Sequence, residues 1–155
     1  MKRAFTLGLM LAAIAAPATA AQEDWVVVGG DGSALAFDRA SIKKNAANEY
    51  SLRYAVYSAQ ALTPPPSVGA QAMFGFTGAL SVNCIEKTSR GGDVTYFLAY
   101  GSEKTVPADP KSGFVKVRAG DYQAYFLDVA CSGRKASDAY TAKGRADGIA
   151  LMKKI

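Results

Sequence analysis

Cys84 and Cys131 are the only cysteines in a chain of 155 residues, with 46 residues between them. Joined, they close a loop whose lost chain entropy is worth about 4 kcal/mol, a large share of a small domain's stability. Any fold open to this chain then has to bring residue 84 beside residue 131. Where each sits in local structure is the first question.

Cys131 ends the stretch GDYQAYFLDVACSG, residues 120–133. Its residues Tyr122, Tyr125, Phe126, Val129 and Ala130 fall at i, i+3, i+4, i+7 and i+8, the spacing that lines one face of a helix. Asp121 stands at the N-cap position and Gly133 just past the end, where a left-handed residue stops a helix. Cys84 lies in ALSVNCIEKTS, residues 79–89, where Leu80, Val82 and Cys84 share one face of a strand and Ser81 and Asn83 the other. The expected bond therefore runs from helix to sheet. No C-x-x-C pair suggests a redox centre instead.

Such pairing needs an oxidising compartment, and the N-terminus supplies the address. MKRAFTLGLMLAAIAAPATA has a basic start, an apolar run over residues 5–16 and an A-x-A site before Ala21, the pattern of a secretory signal cleaved after Ala20. The run is shorter than the roughly 18–20 apolar residues a bilayer crossing needs, and no later segment is longer. Residues 1–20 are thus read as signal peptide and 21–155 as a single exported domain, periplasmic or at the cell surface. No cysteine follows the cleavage site, so no lipid anchor is expected there.

Cleavage leaves 16 basic residues against 13 acidic, a net charge of +3. That excess is too small and too scattered for a nucleic-acid binder. Arg134, Lys135, Lys143, Arg145, Lys153 and Lys154 gather near the C-terminus; they read as a solvated helix face, with an acidic partner or anionic surface as the alternative.

Between these landmarks the pattern is mostly that of strands. WVVV (25–28) and ALAF (34–37) flank GGDGS and form a hairpin; without a Lys and a following helix, that turn is no phosphate loop. DRASIKKNAAN (38–48) reads as a turn or helical loop. EYSLRYAVYSA (49–59) alternates clearly, with Tyr50, Leu52, Tyr54 and Val56 on one face and Ser51, Arg53 and Tyr57 on the other. RGGD (90–93) is expected to turn the chain into VTYFLAYGS (94–102), and FVKV (114–117) is a short strand. A second helix is expected from Ser137 or Asp138 to the end. The fold class is α+β: an antiparallel sheet of about five or six strands packed against C-terminal helices, with one disulfide.

PPPSVGAQAMFGFTG, residues 64–78, interrupts the strands, because three consecutive prolines cannot sit in a central strand. It is expected to be a long loop carrying Met73, Phe74 and Phe76 on a glycine-rich backbone, a candidate partner-binding segment. The competing reading folds the two phenylalanines over the sheet or into the next strand. Tyr57, facing away from Tyr54, is a second candidate for an outward binding surface.

The chain has no histidine, which removes Ser-His and Cys-His nucleophilic pairs and the usual imidazole metal ligands. With both cysteines paired, no metal site and no cofactor are expected. Asp38, Glu86 and Asp128 leave carboxylate-pair hydrolysis formally open, but nothing in their spacing selects two of them.

The order of these segments resembles the surface-adhesin protein E-like family of exported bacterial proteins. The resemblance covers about residues 24–131. It rests on the tryptophan strand in WVVVGGDGSALAFDRASIKKN, the alternating strand after it, the first cysteine in SVNCIEKTSR, and the second at the end of a late helix beyond a proline-containing loop. It implies an antiparallel sheet packed by helix outside the cytoplasm, a structural role for Asp38, Ser41 and Ile42, and adhesin-like binding of proteins. The lack of a lipidated cysteine departs from the founding adhesin. The functional expectation is a non-enzymatic envelope protein that binds an unidentified protein partner. A periplasmic accessory or inhibitor of an envelope enzyme is the alternative, and a cell-wall hydrolase a distant third.

Overall fold

The computed structural model describes residues 23–30 and 32–133 and the backbone of residues 140–142. Eight strands and one helix follow in the order β1 (Trp25–Gly30), β2 (Ser33–Ala46), β3 (Glu49–Leu62), β4 (Met73–Asn83), β5 (Thr88–Leu98), β6 (Glu103–Val106), β7 (Val115–Lys116), α1 (Tyr122–Ser132) and β8 (Tyr140–Ala142). The sheet is antiparallel, ordered β6-β5-β4-β3-β2-β1-β8, with β7 on the outer edge of β5. It is an α+β fold in which each strand from β1 to β6 pairs with the next, β3 and β4 through a ten-residue connection over residues 63–72. In its outline the sheet has more strands than expected, and Tyr140–Ala142 pairs with β1 where a second helix was expected. The rest of that helix lies outside the described residues, as does the signal segment.

Helix α1 occupies the residues its periodicity predicts. Asp121 is extended at the N-cap and Gly133 is left-handed at φ 63°. The Asp121 side chain makes no capping bond; its carbonyl instead accepts Ala124 N–H at 3.0 Å. Phe126, Leu127, Val129 and Ala130 pack on Val26, Phe37, Leu52, Tyr54, Leu80 and Val82, which all point to the helix side of β1 to β4. Cys131 then reaches Cys84, and the disulfide joins helix to sheet.

The other sheet face is also buried over β1 to β3. Trp25, Val27, Ala34, Ala36, Ala55 and Tyr57 form a second cluster there, with Phe97 against it. Tyr57, expected to face outward, is 2% exposed and stacks on Phe97 at 5.5 Å, so it belongs to the core.

Strand β2 runs straight through residues expected to turn. Its register with β3 slips between Asp38 and Lys43, and hydrogen bonds from side chains fill the gap. Ser41 Oγ donates to the Asp38 carbonyl at 2.6 Å and accepts Arg53 N–H at 2.7 Å. The buried Asp38 carboxylate accepts the N–H groups of Asp24 (2.8 Å) and Ala40 (3.1 Å) and pairs with Arg53, which also pairs with Glu23 at 2.7 Å. Ile42 packs against the helix-side core. These bonds satisfy backbone that would otherwise break the strand.

RGGD is likewise within β5 and not a turn. The reversal falls earlier, at residues 84–87, where Asn83 Oδ1 accepts Glu86 N–H at 2.9 Å and Lys87 adopts φ 50°. The glycines instead accommodate a bulge: Ala79 faces the extra residue of β5, and a Cβ on Gly92 would lie 3.0 Å from the Ala79 methyl.

Candidate functional site

The three residues expected on a partner-binding loop begin a strand. The proline-rich segment is irregular only over residues 63–72, and it is pinned: Val68 is buried, and Gln71 Nε2 donates to the Ala99 carbonyl at 3.0 Å. Met73 opens β4 and is 4% exposed, packed with Val68 and Leu98. Phe74 is exposed at a bulge, and Phe76 is half-buried on the helix side. Only Phe76 joins a larger surface.

That surface follows from register. Val28 pairs with Leu35, Leu35 with Val56, Val56 with Phe76 and Phe76 with Tyr96, so one row of apolar side chains crosses five adjacent strands. All five are half-buried. The neighbouring row, Val26, Phe37 and Tyr54, lies beneath α1. Of the helix, only the first turn reaches the outer row, through Tyr122, and at the other end Phe76 and Tyr96 pack against Val68 of the proline-rich segment with Met73 and Leu98. A hollow of about 410 Å³ opens on the row where Val28, Leu35 and Val56 meet Gly29 and Ser33.

Aromatic rings form one end of this shelf. Phe76 lies 5.9 Å from Tyr96 and 5.6 Å, edge-on, from Tyr122, and Tyr122 stacks on the buried Tyr54 at 5.7 Å. Burial and then the neighbouring Tyr122 hydroxyl drive the Tyr54 phenol far above its ordinary value. Burial also raises Tyr96, with Tyr122 adding to it. Tyr54 and Tyr96 therefore stay neutral hydrogen-bonding groups at physiological pH. Lys104 follows Tyr96 in the row, its ammonium donating to the Val68 carbonyl at 3.3 Å. The shelf offers apolar area, amphipathic rings and a cation at one end.

The carboxylates considered for hydrolysis do not form such a site. Asp38 is tied into the bulge of β2, Glu86 is exposed on the β4–β5 turn and Asp128 is exposed on α1. Among the described residues no group of three His, Cys, Asp or Glu side chains could hold a metal ion. No described helix is long and apolar enough to cross a membrane.

Sequence reasoning singled out Phe76 but missed Val28, Leu35, Val56 and Tyr96 as a site. Each was visible as one beat of an alternation. Their common row depends on strand pairing, which alternation does not encode. Scans against protein-family models, curated proteins and solved structures return no match for this chain.

Proposed function

We propose that this chain is a non-enzymatic, protein-binding module of the cell envelope and that the shelf from Val28 to Tyr96 receives its partner. The observation that carries the reading is the register row itself: five half-buried apolar residues on five strands, which the helix touches only through Tyr122 at its first turn. A sheet face usually finishes its apolar row under a covering element or ends it with polar residues. Tyrosine and phenylalanine at a rigid, partly exposed site are the residue types that anchor protein interfaces. The disulfide supports an exported chain, since such bonds persist outside the reducing cytoplasm. The resemblance to protein E-like adhesins supports binding of a protein in particular, and a host or matrix protein is the partner class it suggests.

The test is photocrosslinking in living cells, with benzoylphenylalanine placed at Leu35, Val56 or Tyr96 and, as control, at Thr105 on the edge strand. The same discrete adduct at all three shelf positions and none at the control is expected. Equal adducts at the control, or none anywhere, would sink the shelf as the docking site. Protease digestion of intact against osmotically shocked cells separates an adhesin from a periplasmic accessory: degradation on intact cells favours the first, protection until shock the second.

A further inference from the structure

The end of the sheet away from the shelf has a different chemistry. Ala46, Glu49, Asn83, Thr88 and Lys116 share the last register row, so the β2–β3 and β4–β5 turns and strand β7 all finish there. Along the strands this row is about 20 Å or more from the shelf, at roughly 3.3 Å per residue.

Two large apolar side chains stand out at this end. Ile85, on the β4–β5 turn, is 71% exposed and Val115, on β7, is 65% exposed. Their segments are joined, because Lys116 Nζ donates to the Glu86 carbonyl at 2.6 Å and Val117 N–H to the Lys87 carbonyl at 3.0 Å. Lys87, Arg90 and Lys116 are exposed on the same segments, and Lys43 and Lys44, two strands away on β2 and on opposite sheet faces, are exposed toward the same end, against the carboxylates of Glu49 and Glu86.

The turn that presents Ile85 is held rigidly. Cys84, the residue before it, is bonded to Cys131 of α1, and Cys84 N–H donates to the Asn48 carbonyl of the neighbouring turn at 2.9 Å. Lys87 sits in the left-handed region, where a glycine or asparagine would cost less. The chain thus keeps a lysine at a strained position beside an isoleucine in solvent, on a frame that stops either from folding back.

Exposed aliphatic tips at an end of the sheet that also carries several exposed lysines match one kind of surface, a bilayer of anionic phospholipid. The tips enter the boundary between headgroups and acyl chains while the cations meet phosphates. We propose that this end docks on an anionic phospholipid bilayer through Ile85, Val115 and the lysines at 43, 44, 87 and 116. A protein interface would fit the apolar tips but gains little from so many lysines, which interfaces generally exclude. The docking is peripheral and leaves the shelf, at the far end of the sheet, free for a partner.

Sedimentation of the exported, processed chain with lipid vesicles tests this. Vesicles containing about one-third phosphatidylglycerol should bind it, while pure phosphatidylcholine should bind at least tenfold more weakly. Raising salt from about 0.1 M to about 1 M shortens the screening length from roughly 10 Å to roughly 3 Å and should weaken binding at least tenfold. Each lysine near the surface contributes about a fivefold effect, so the combined variant K43Q/K44Q/K87Q/K116Q should lose roughly 100-fold or more. Ile85→Ser, a change at an exposed turn, should also weaken vesicle binding while leaving thermal stability unchanged. Equal binding to both lipid compositions would overturn the proposal. So would full binding by the four-lysine variant, or affinity for heparin equal to that for vesicles with no effect of Ile85→Ser.

Discussion

Cys131, one residue from the end of α1, is bonded to Cys84, the residue that follows β4, with their Cα atoms 5.6 Å apart. This bond fixes the C-terminal end of the helix over the sheet, while Phe126 and Tyr122 hold the rest by packing. The sequence separation of 47 makes its removal costly through the unfolded chain. A Cys84→Ser, Cys131→Ser double variant should lose about 4 kcal/mol. Urea denaturation measures it; an unchanged midpoint would mean that packing alone fixes the helix.

Asp38 is 1% exposed and holds Arg53 together with the N–H groups of Asp24 and Ala40. Replacing it with Ala leaves two part-buried N–H donors without their acceptor and Arg53 with only its Glu23 partner. Breaking a buried pair by removing one member costs about 3–5 kcal/mol, and the partial exposure of Arg53 puts this case at the low end, about 3 kcal/mol. Asp38→Asn should recover part of that by keeping an acceptor oxygen. Equilibrium unfolding of both variants checks the order, Ala below Asn below wild type.

This bulge also marks where the sequence stopped being legible. The helix with its stop at Gly133 and the alternation of β3 could be read directly, because each is a local pattern, and the helix-to-sheet bond followed because the chain has just two cysteines to pair. Residues 38–46 show no alternation, since their strand continues through bonds made by the side chains of Asp38 and Ser41. β6, with the sequence EKTV, is an edge strand whose exposed charges blunt further pairing and hide its period. Tyr57 alternates correctly with Tyr54, but alternation says which residues share a face and not whether the second face meets water. The candidate site is a product of register alone, so Phe76 could be suspected and its four companions could not.

Tyr54 should make the protein sensitive to alkali. Burial, with a further push from Tyr122, raises its phenol well above the ordinary value of 10. As pH climbs past about 10 the unfolded chain therefore releases this proton while the folded chain keeps it. Stability is full below that pH and falls by up to about 1.4 kcal/mol per pH unit above it, until the folded phenol also ionises. Urea midpoints measured between about pH 8 and 11 should decline more steeply for wild type than for Tyr54→Phe. Tyr96, also raised, leaves the variant a residual slope. Identical slopes would remove Tyr54 as the cause.

Gly75 should be the least replaceable residue of β4. It pairs with Tyr57 on one side and Phe97 on the other, and those two rings stack across it at 5.5 Å. Its φ of 151° disfavours any side chain, and a Cβ there would lie 2.3 Å from the Val56 carbonyl oxygen and 3.3 Å from Phe97 Cδ2. The backbone atom cannot yield without shifting β3, so the strain and the lost stacking add. Gly75→Ala should cost about 3 kcal/mol or more, in the range of severe core changes, although it adds a single methyl group. Tyr57→Ala, which removes the ring that covers the same spot, should cost about 3–5 kcal/mol. Because the two share one contact, the double variant should lose clearly less than the sum of the singles, and a double-mutant cycle measures the difference. Strict additivity would show that Gly75 is required by the backbone alone and not by the rings that meet above it.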